Sequence, residues 1–214
     1  MSLNRPSRTR DLTELVLGYA LIVGIIWSPE HLQRILSPIA FVLTLLVVLV
    51  RGKNHNELGL GWRGFVSSLW IMPAAFALSA ASMFLAAKVG TLHPLYKGDL
   101  QHITGYVLWT IYQQFLLQDF FMDRVLRLVS SEPAAITLAG ALFAAAHLPN
   151  LVLTVATLVW GIVSCALFRR YRNLWMLGLA QGLLGLCIAI CVPDSLIHHM
   201  RVGLGFLRYQ STTH

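Results

Sequence analysis

The sequence predicts an all-α fold, a polytopic membrane helix bundle of about seven spans, from two observations. Of its 214 residues, 57% are hydrophobic and 12% are charged, whereas a soluble domain carries about a quarter charged residues. The apolar residues form long segments, and the basic residues behind the net charge of +7 lie between them. Basic residues placed in this way indicate membrane topology. We therefore expect the lipid bilayer as a partner and no nucleic acid.

Seven apolar segments are candidate spans, and several are slightly shorter than the roughly 20 residues of a full crossing. They are residues 12–27, 35–50, 65–87, 103–117, 133–147, 151–168 and 174–192. No small-residue cleavage pattern precedes Ser28, so we interpret the first as an uncleaved span. Pro133 suits the first turn of the fifth segment, and Pro149 ends it. The predicted organisation is a basic N-terminus (1–11), one transmembrane domain (12–192) and a short polar tail (193–214).

The basic residues also predict the orientation. With seven spans and a cytoplasmic N-terminus, 11 Lys and Arg residues lie on the cytoplasmic side and 5 on the other side. Short loops that remain in the cytoplasm carry an excess of Lys and Arg. We therefore expect the N-terminus and the basic turn at residues 169–172 to be cytoplasmic, and the C-terminus to lie on the opposite side.

Three glutamines mark the fourth apolar segment and its end. Gln114 and Gln118 are four residues apart and share a helix face, with Gln113 beside them. An amide in a membrane helix needs hydrogen-bond partners that lipid does not supply. Polar groups on such a face either join neighbouring helices by hydrogen bonds or line a cavity. Both interpretations remain open from this segment alone.

Other polar residues occur in later apolar segments. His147 ends the fifth segment, four residues after Phe143, and Gln181 lies within the seventh. A neutral imidazole can donate a hydrogen bond to a developing oxyanion or hold a water molecule, or it can be a packing residue. Asn150 can contribute to such a site or can cap the helix that begins at the next residue. The three cysteines lack the spacing of a disulfide framework or a zinc site, so no metal or cofactor is predicted.

The order of these elements resembles the CPBP family of intramembrane endopeptidases, which includes type II CAAX prenyl proteases and bacteriocin-immunity proteins. Three motifs of that family, Glu-Glu-x-x-x-Arg, Phe-x-x-x-His and His-x-x-x-Asn, have counterparts here. The matching positions are Gln113, Gln114 and Gln118 for the first motif, Phe143 and His147 for the second, and Gln181 and Gly185 for the third. The resemblance covers residues 58–186 and implies a CAAX-protease-like helix bundle, located by analogy in a bacterial plasma membrane.

The resemblance implies a water-activating glutamate and an oxyanion site formed by histidine and asparagine side chains. Of these catalytic positions, only His147 keeps the family's residue. Gln113 and Gln114 cannot accept a proton as a carboxylate does. Gln181 can still donate a hydrogen bond, but Gly185 has no side chain. The candidate catalytic residues are therefore His147, Gln113, Gln114 and Gln181, with Gln118, Phe143 and Asn150 as candidate binding residues.

A nearby carboxylate is a candidate for the missing base. Asp119 and Asp123 follow the glutamines and share a helix face. A buried Asp119 can act as a base. The alternative is that both aspartates lie at the cytoplasmic end of the helix and pair with Arg124 and Arg127.

Two functions from different classes therefore follow from the sequence. The first is an intramembrane peptidase homologue that hydrolyses or recognises peptides in a polar cavity between helices. The second is a catalytically silent membrane protein that keeps the protease fold for binding or as a scaffold. In both, the expected partner is a membrane protein or a lipidated peptide. We also expect the helices that carry Gln114 and His147 to pack together and face inward, since buried polar groups require partners. Transport is less favoured because the sequence has no internal repeat.

Overall fold

The computed structural model describes residues 8–96 and 98–209 and confirms an all-helical membrane protein fold, with no strand among these residues. The elements in chain order are α1 (Arg8–Ile26), α2 (Glu30–Leu49), α3 (Trp62–Ser67), α4 (Ile71–Val89), α5 (Leu100–Phe115), a π-helical segment (Leu116–Met122), α6 (Asp123–Leu128), α7 (Glu132–Ala145), α8 (Leu151–Tyr171), α9 (Leu174–Cys191), α10 (Asp194–Ile197) and α11 (Gly203–Leu207). The basic N-terminal residues 1–7, Lys97 and the tail residues 210–214 lie outside the described residues.

Each predicted span overlaps a helix, although the third is divided between α3 and α4, and the helices differ in their capacity to cross a bilayer. Four of the described helices, α2, α4, α8 and α9, are long and apolar enough to do so. Helix α7 has 14 residues, which is short for a crossing, and α1 begins with charged residues. Four apolar helices of spanning length identify the chain as an integral membrane protein.

The helix ends fall on two sides of the bundle, each joined by contacts between distant parts of the chain. The contacts on the first side include Arg8 with Leu128, Arg169 with Glu132, and Leu174 with Gly59. Those on the second side include His93 with Ile190, and Gly203 with Leu148. The number of helices that cross the bilayer stays a prediction. Which side faces the cytoplasm stays a prediction from the basic residues.

The helix of the fourth predicted span is longer than expected. The sequence predicted an end at residue 117, but the helix continues through the π-helical segment and α6 to Leu128. It passes through Asp119, Asp123 and Arg124 because buried partners neutralise these charges. A π-helical segment inserts an extra residue per turn, and such segments are frequent at functional sites. This one begins between Gln114 and Gln118.

A buried ion-pair network joins this helix to α1 and α2. Its centre is Arg124, which is fully buried and donates to Glu14 (2.6 and 3.0 Å) and to the Phe120 carbonyl (2.6 Å). The other pairs are Arg51 with Asp11 and Glu14, Arg127 with Asp11 and Asp123, and Lys53 with Asp119 and Asp123. Charges this deeply buried require partners on all sides. The network therefore determines how α1 and α2 pack against the helix formed by α5, the π-helical segment and α6.

Helices α5 and α9 approach closely through glycines on α9. A Cβ at Gly178 would lie 2.6 Å from Cγ1 and 2.7 Å from Cα of Ile111. The Thr110 hydroxyl donates to the Gly178 carbonyl at 2.9 Å across the same contact. Small residues allow membrane helices to approach in this way. This contact brings Gln114 of α5 near Gln181 of α9.

Replacing Gly178 by Ala is expected to lower the free energy of unfolding by about 1–3 kcal/mol, the usual cost of overpacking. The added methyl group would meet the Ile111 backbone, which cannot move without separating the helices. Gly105→Ala on α5 is the matched control, because a Cβ there has nothing within 4 Å. The control is expected to be neutral or slightly stabilising. Thermal unfolding in detergent measures both, and equal losses would contradict this account of the contact.

Candidate functional site

The four glutamines form one hydrogen-bonded chain between α5, the π-helical segment and α9. The Gln118 amide donates to the Gln114 carbonyl oxygen (3.0 Å), and Gln114 Nε2 donates to Gln181 Oε1 (2.6 Å). Gln181 Nε2 in turn donates to Gln113 Oε1. Gln114, Gln118 and Gln181 are buried, and Gln113 is partly exposed. The glutamines therefore join two helices and also define a polar centre in the bundle.

Helix α8 adds two residues to this hydrogen-bonded chain of glutamines, and neither was predicted from the sequence. The Trp160 indole N–H donates to Gln181 Oε1 at 3.1 Å, and the Gln118 amide donates to the Ser164 hydroxyl at 3.4 Å. Trp160 and Ser164 are four residues apart, so they share a helix face. That spacing of two polar groups in an apolar segment was the available signal.

His147 lies just after the C-terminal end of α7, on the second of the two sides of the bundle. One of its ring nitrogens, Nδ1, lies 2.8 Å from the Phe143 carbonyl and must donate to it, because a carbonyl accepts only. The Phe143 and His147 rings also contact edge to face, with centroids 5.0 Å apart. In the neutral imidazole, Nε2 therefore carries the lone pair. Hydrogen-bond donation to an oxyanion, the role expected from the sequence, would require protonation of His147.

A cavity of about 760 Å³ connects His147 with the polar centre. Its wall includes Gln113, His147 and Gln181, together with many apolar side chains of α1, α2, α5, α8 and α9. Among the described residues, none of the side chains that line it is charged. Gln114 and Gln118 lie behind this wall and reach the cavity only through their hydrogen bonds. The cavity thus accommodates an apolar chain beside a few neutral polar groups.

Asn150 caps α8 and does not line the cavity. Its side-chain oxygen accepts from the Leu153 amide at 3.2 Å. Its amide group donates to the Ile197 carbonyl (2.9 Å) and the Arg201 carbonyl (3.0 Å). Asn150 therefore attaches the C-terminal segment to the start of α8, which is the capping role that the sequence left open.

Asp119 points away from the cavity. It is fully buried, and its carboxylate lies 3.4 Å from the ammonium group of Lys53. Asp123 contacts the same lysine at 3.1 Å and Arg127 at 2.8 Å. Of the two arginines expected to pair with these aspartates, Arg127 does so. Arg124 instead pairs with Glu14, because its guanidinium group turns toward α1.

Gly185 leaves space that Tyr106 occupies. An ideal Cβ at Gly185 would overlap the Tyr106 hydroxyl, and it would lie 3.0 Å from the ring carbon that bears the hydroxyl. Both residues line the cavity. A tyrosine from α5 therefore fills the position where a side chain at 185 would extend. The sequence reasoning identified Gly185 but not its partner, which is distant in the chain.

The residues around the cavity do not form a recognisable metal centre. Within the described part of the chain, no group of three or more His, Cys, Asp or Glu side chains has the proximity that metal binding requires. Cys165 and Cys187 are buried free thiols, and Cys191 is a partly buried one.

A model of the Rce1-like family, described as type II CAAX prenyl endopeptidase Rce1-like, matches residues 6–187. The chain belongs to this family. The match confirms the resemblance seen in the sequence motifs and includes all of the cavity's glutamines and His147. No curated protein and no solved structure gives a significant match.

Proposed function

We propose that this member of the Rce1-like family binds a lipidated peptide or membrane peptide in its cavity and hydrolyses it weakly or not at all. The observation that carries the proposal is the amide chain from Gln118 to Gln113. The family resemblance implies a catalytic carboxylate in the first motif. Here the corresponding positions hold neutral amides that already bind one another.

Water attack on an amide needs a general base, which typically contributes about 10²–10⁴-fold in rate. A glutamine amide has no proton-accepting group of useful basicity. Asp119 is the nearest carboxylate in sequence, and it faces Lys53 and not the cavity. The described cavity wall therefore supports binding better than hydrolysis.

The shape and polarity of the cavity favour a ligand with an apolar chain. Its wall is mainly aliphatic and aromatic, and it is large enough for a lipid chain. Burial of such a chain contributes about 25 cal/mol for each Å² removed from water. The neutral side-chain amides of Gln113 and Gln181 would contact the polar part of the same ligand. A lipidated peptide combines both features.

A second candidate function, slow hydrolysis, rests on His147. Its Nδ1 donates to the Phe143 carbonyl, so the lone pair of the neutral ring is on Nε2. His147 also lines the cavity. An imidazole in this tautomer can act as a general base. This activity would depend entirely on His147.

Binding is tested with the full chain in lipid nanodiscs and a prenylated peptide, using the unlipidated peptide for comparison. We expect saturable binding of the prenylated peptide only. Ala156→Phe fills the cavity and is expected to lower affinity at least about tenfold, the effect of about 1.4 kcal/mol. Ala81→Phe adds the same volume at an exposed position of α4 outside the cavity wall and serves as the control.

Mass spectrometry of the bound peptide separates the two candidate functions. Recovery of intact peptide supports binding without turnover. Cleavage that disappears in His147→Ala supports the second candidate. Equal binding by the wild type and Ala156→Phe would contradict the proposal that the ligand occupies this cavity.

A further inference from the structure

One tryptophan determines the direction of hydrogen-bond donation along the four linked glutamine side chains. A glutamine amide looks much the same when its oxygen and nitrogen are exchanged, so its orientation must come from its partners. The indole N–H of Trp160 can only donate. It lies 3.1 Å from the Gln181 side chain, so the atom that it contacts must be the oxygen of Gln181.

This assignment extends through the neighbouring amides. Because Gln181 Oε1 also contacts Gln114, Gln114 must present its nitrogen, which leaves the Gln114 oxygen to accept from Gln118. The nitrogen of Gln181 then faces Gln113, which must present its oxygen. Gln113 Nε2 is the remaining donor of the chain and makes no hydrogen bond to any described residue. Gln113 lines the cavity.

The cavity also selects against charge. Among the described residues that form its wall there is no Asp, Glu, Lys or Arg. An ionised ligand group placed there would lose its hydration without gaining a charged partner, which disfavours its binding. A neutral carbonyl group, in contrast, matches the free N–H bonds of Gln113. A neutral ligand therefore fits the wall better than a carboxylate or an ammonium group.

We propose that Trp160 orients the amide chain so that Gln113 Nε2 binds an uncharged carbonyl group of an amphiphile whose apolar chain fills the cavity. The ligand class is a long-chain amide or ester, including an amide within a lipidated peptide. Gln113 contacts the ligand, whereas Trp160 is a positioning residue that acts through Gln181. This inference rests on the proposed binding function and specifies the chemistry of the ligand.

The test compares four probes with the same chain length in binding to the full protein in nanodiscs. Hexadecanamide and methyl hexadecanoate offer neutral carbonyl groups, hexadecyl chloride has none, and hexadecanoate at alkaline pH is anionic. We expect both carbonyl probes to bind about five- to tenfold more tightly than hexadecyl chloride, the effect of one net hydrogen bond. Hexadecanoate is expected to bind more weakly than either carbonyl probe.

Variants show whether the amide chain produces this preference. Gln113→Met and Trp160→Phe are expected to reduce the ratio of carbonyl to chloride affinity to within about twofold. Trp109→Phe is the matched control, because Trp109 lines the same cavity and contacts Tyr112 without joining the amide chain. It should leave the ratio unchanged. A general loss of packing would alter all affinities together and not their ratio.

The outcomes separate this inference from the proposed function. If all four probes bind equally, or if Trp160→Phe keeps the carbonyl preference, the inference is wrong while cavity binding stands. Tighter binding of hexadecanoate than of hexadecanamide would also overturn it. If no probe binds saturably and the prenylated peptide does bind, the inference fails alone. If neither probes nor peptide bind, the proposed function fails as well.

Discussion

Replacing Gln113 by Glu is expected to raise the rate of prenylated-peptide cleavage by about 10²-fold or more, because it places a carboxylate base in the cavity wall. Gln113 lines the cavity, and its side-chain oxygen already accepts from Gln181. A glutamate keeps that acceptor and adds a second oxygen where the free N–H bonds now lie. A water molecule bound there would then meet a carboxylate. Single-turnover cleavage in nanodiscs measures the gain.

Two control variants define what this gain means. Asp119→Asn removes a carboxylate that faces Lys53 outside the cavity, so it is expected to leave cleavage unchanged. Gln113→Met removes the polar group without adding a base and should not increase the rate. Robust turnover by the wild type, unaffected by His147→Ala, would contradict the conclusion that the cavity wall offers no general base other than His147.

Efficient cleavage is expected to need more than a carboxylate. The family resemblance places an asparagine at the position of Gly185, where Tyr106 now fills the space. Gly185→Asn alone would therefore clash. We expect it to be tolerated only together with a smaller residue at 106.

Replacing Arg124 by Met is expected to lower the free energy of unfolding by about 3–5 kcal/mol, the cost of breaking a buried ion pair. Arg124 is fully buried, donates to Glu14 and the Phe120 carbonyl, and lies 3.9 Å from the centroid of the Phe120 ring. Methionine fills part of the volume but leaves these acceptors with fewer donors. The loss is measured by thermal unfolding in detergent at constant lipid content.

Arg34→Met is the matched control for this prediction. Arg34 pairs with Glu30 at 2.6 Å, but both side chains are 77% exposed. Such a pair contributes about 0–1 kcal/mol. Similar losses in Arg34→Met and Arg124→Met would show that the buried network is not what stabilises the bundle.

The sequence by itself determined the fold class and the position of most helices. Apolar segments of nearly membrane-spanning length, separated by basic residues, have few alternatives to helices, because lipid offers no partners to unpaired backbone groups. The positions that match the three motifs could also be identified from the sequence, because each motif is defined by the spacing of residues along a single helix. Gln113, His147 and Gln181 were identified in this way, and all three line one cavity.

Only the tertiary structure decided the partners and directions of these side chains. Gln114 and Gln181 are 67 residues apart, and Glu14 and Arg124 are 110 residues apart. No local pattern predicts that Arg124 turns to α1, that Asp119 faces Lys53 or that Tyr106 fills the space at Gly185. The polarity of the amide chain depends on a tryptophan from a third helix. A hydrogen bond or ion pair between helices depends on the position of both partners, and helix packing alone sets that position.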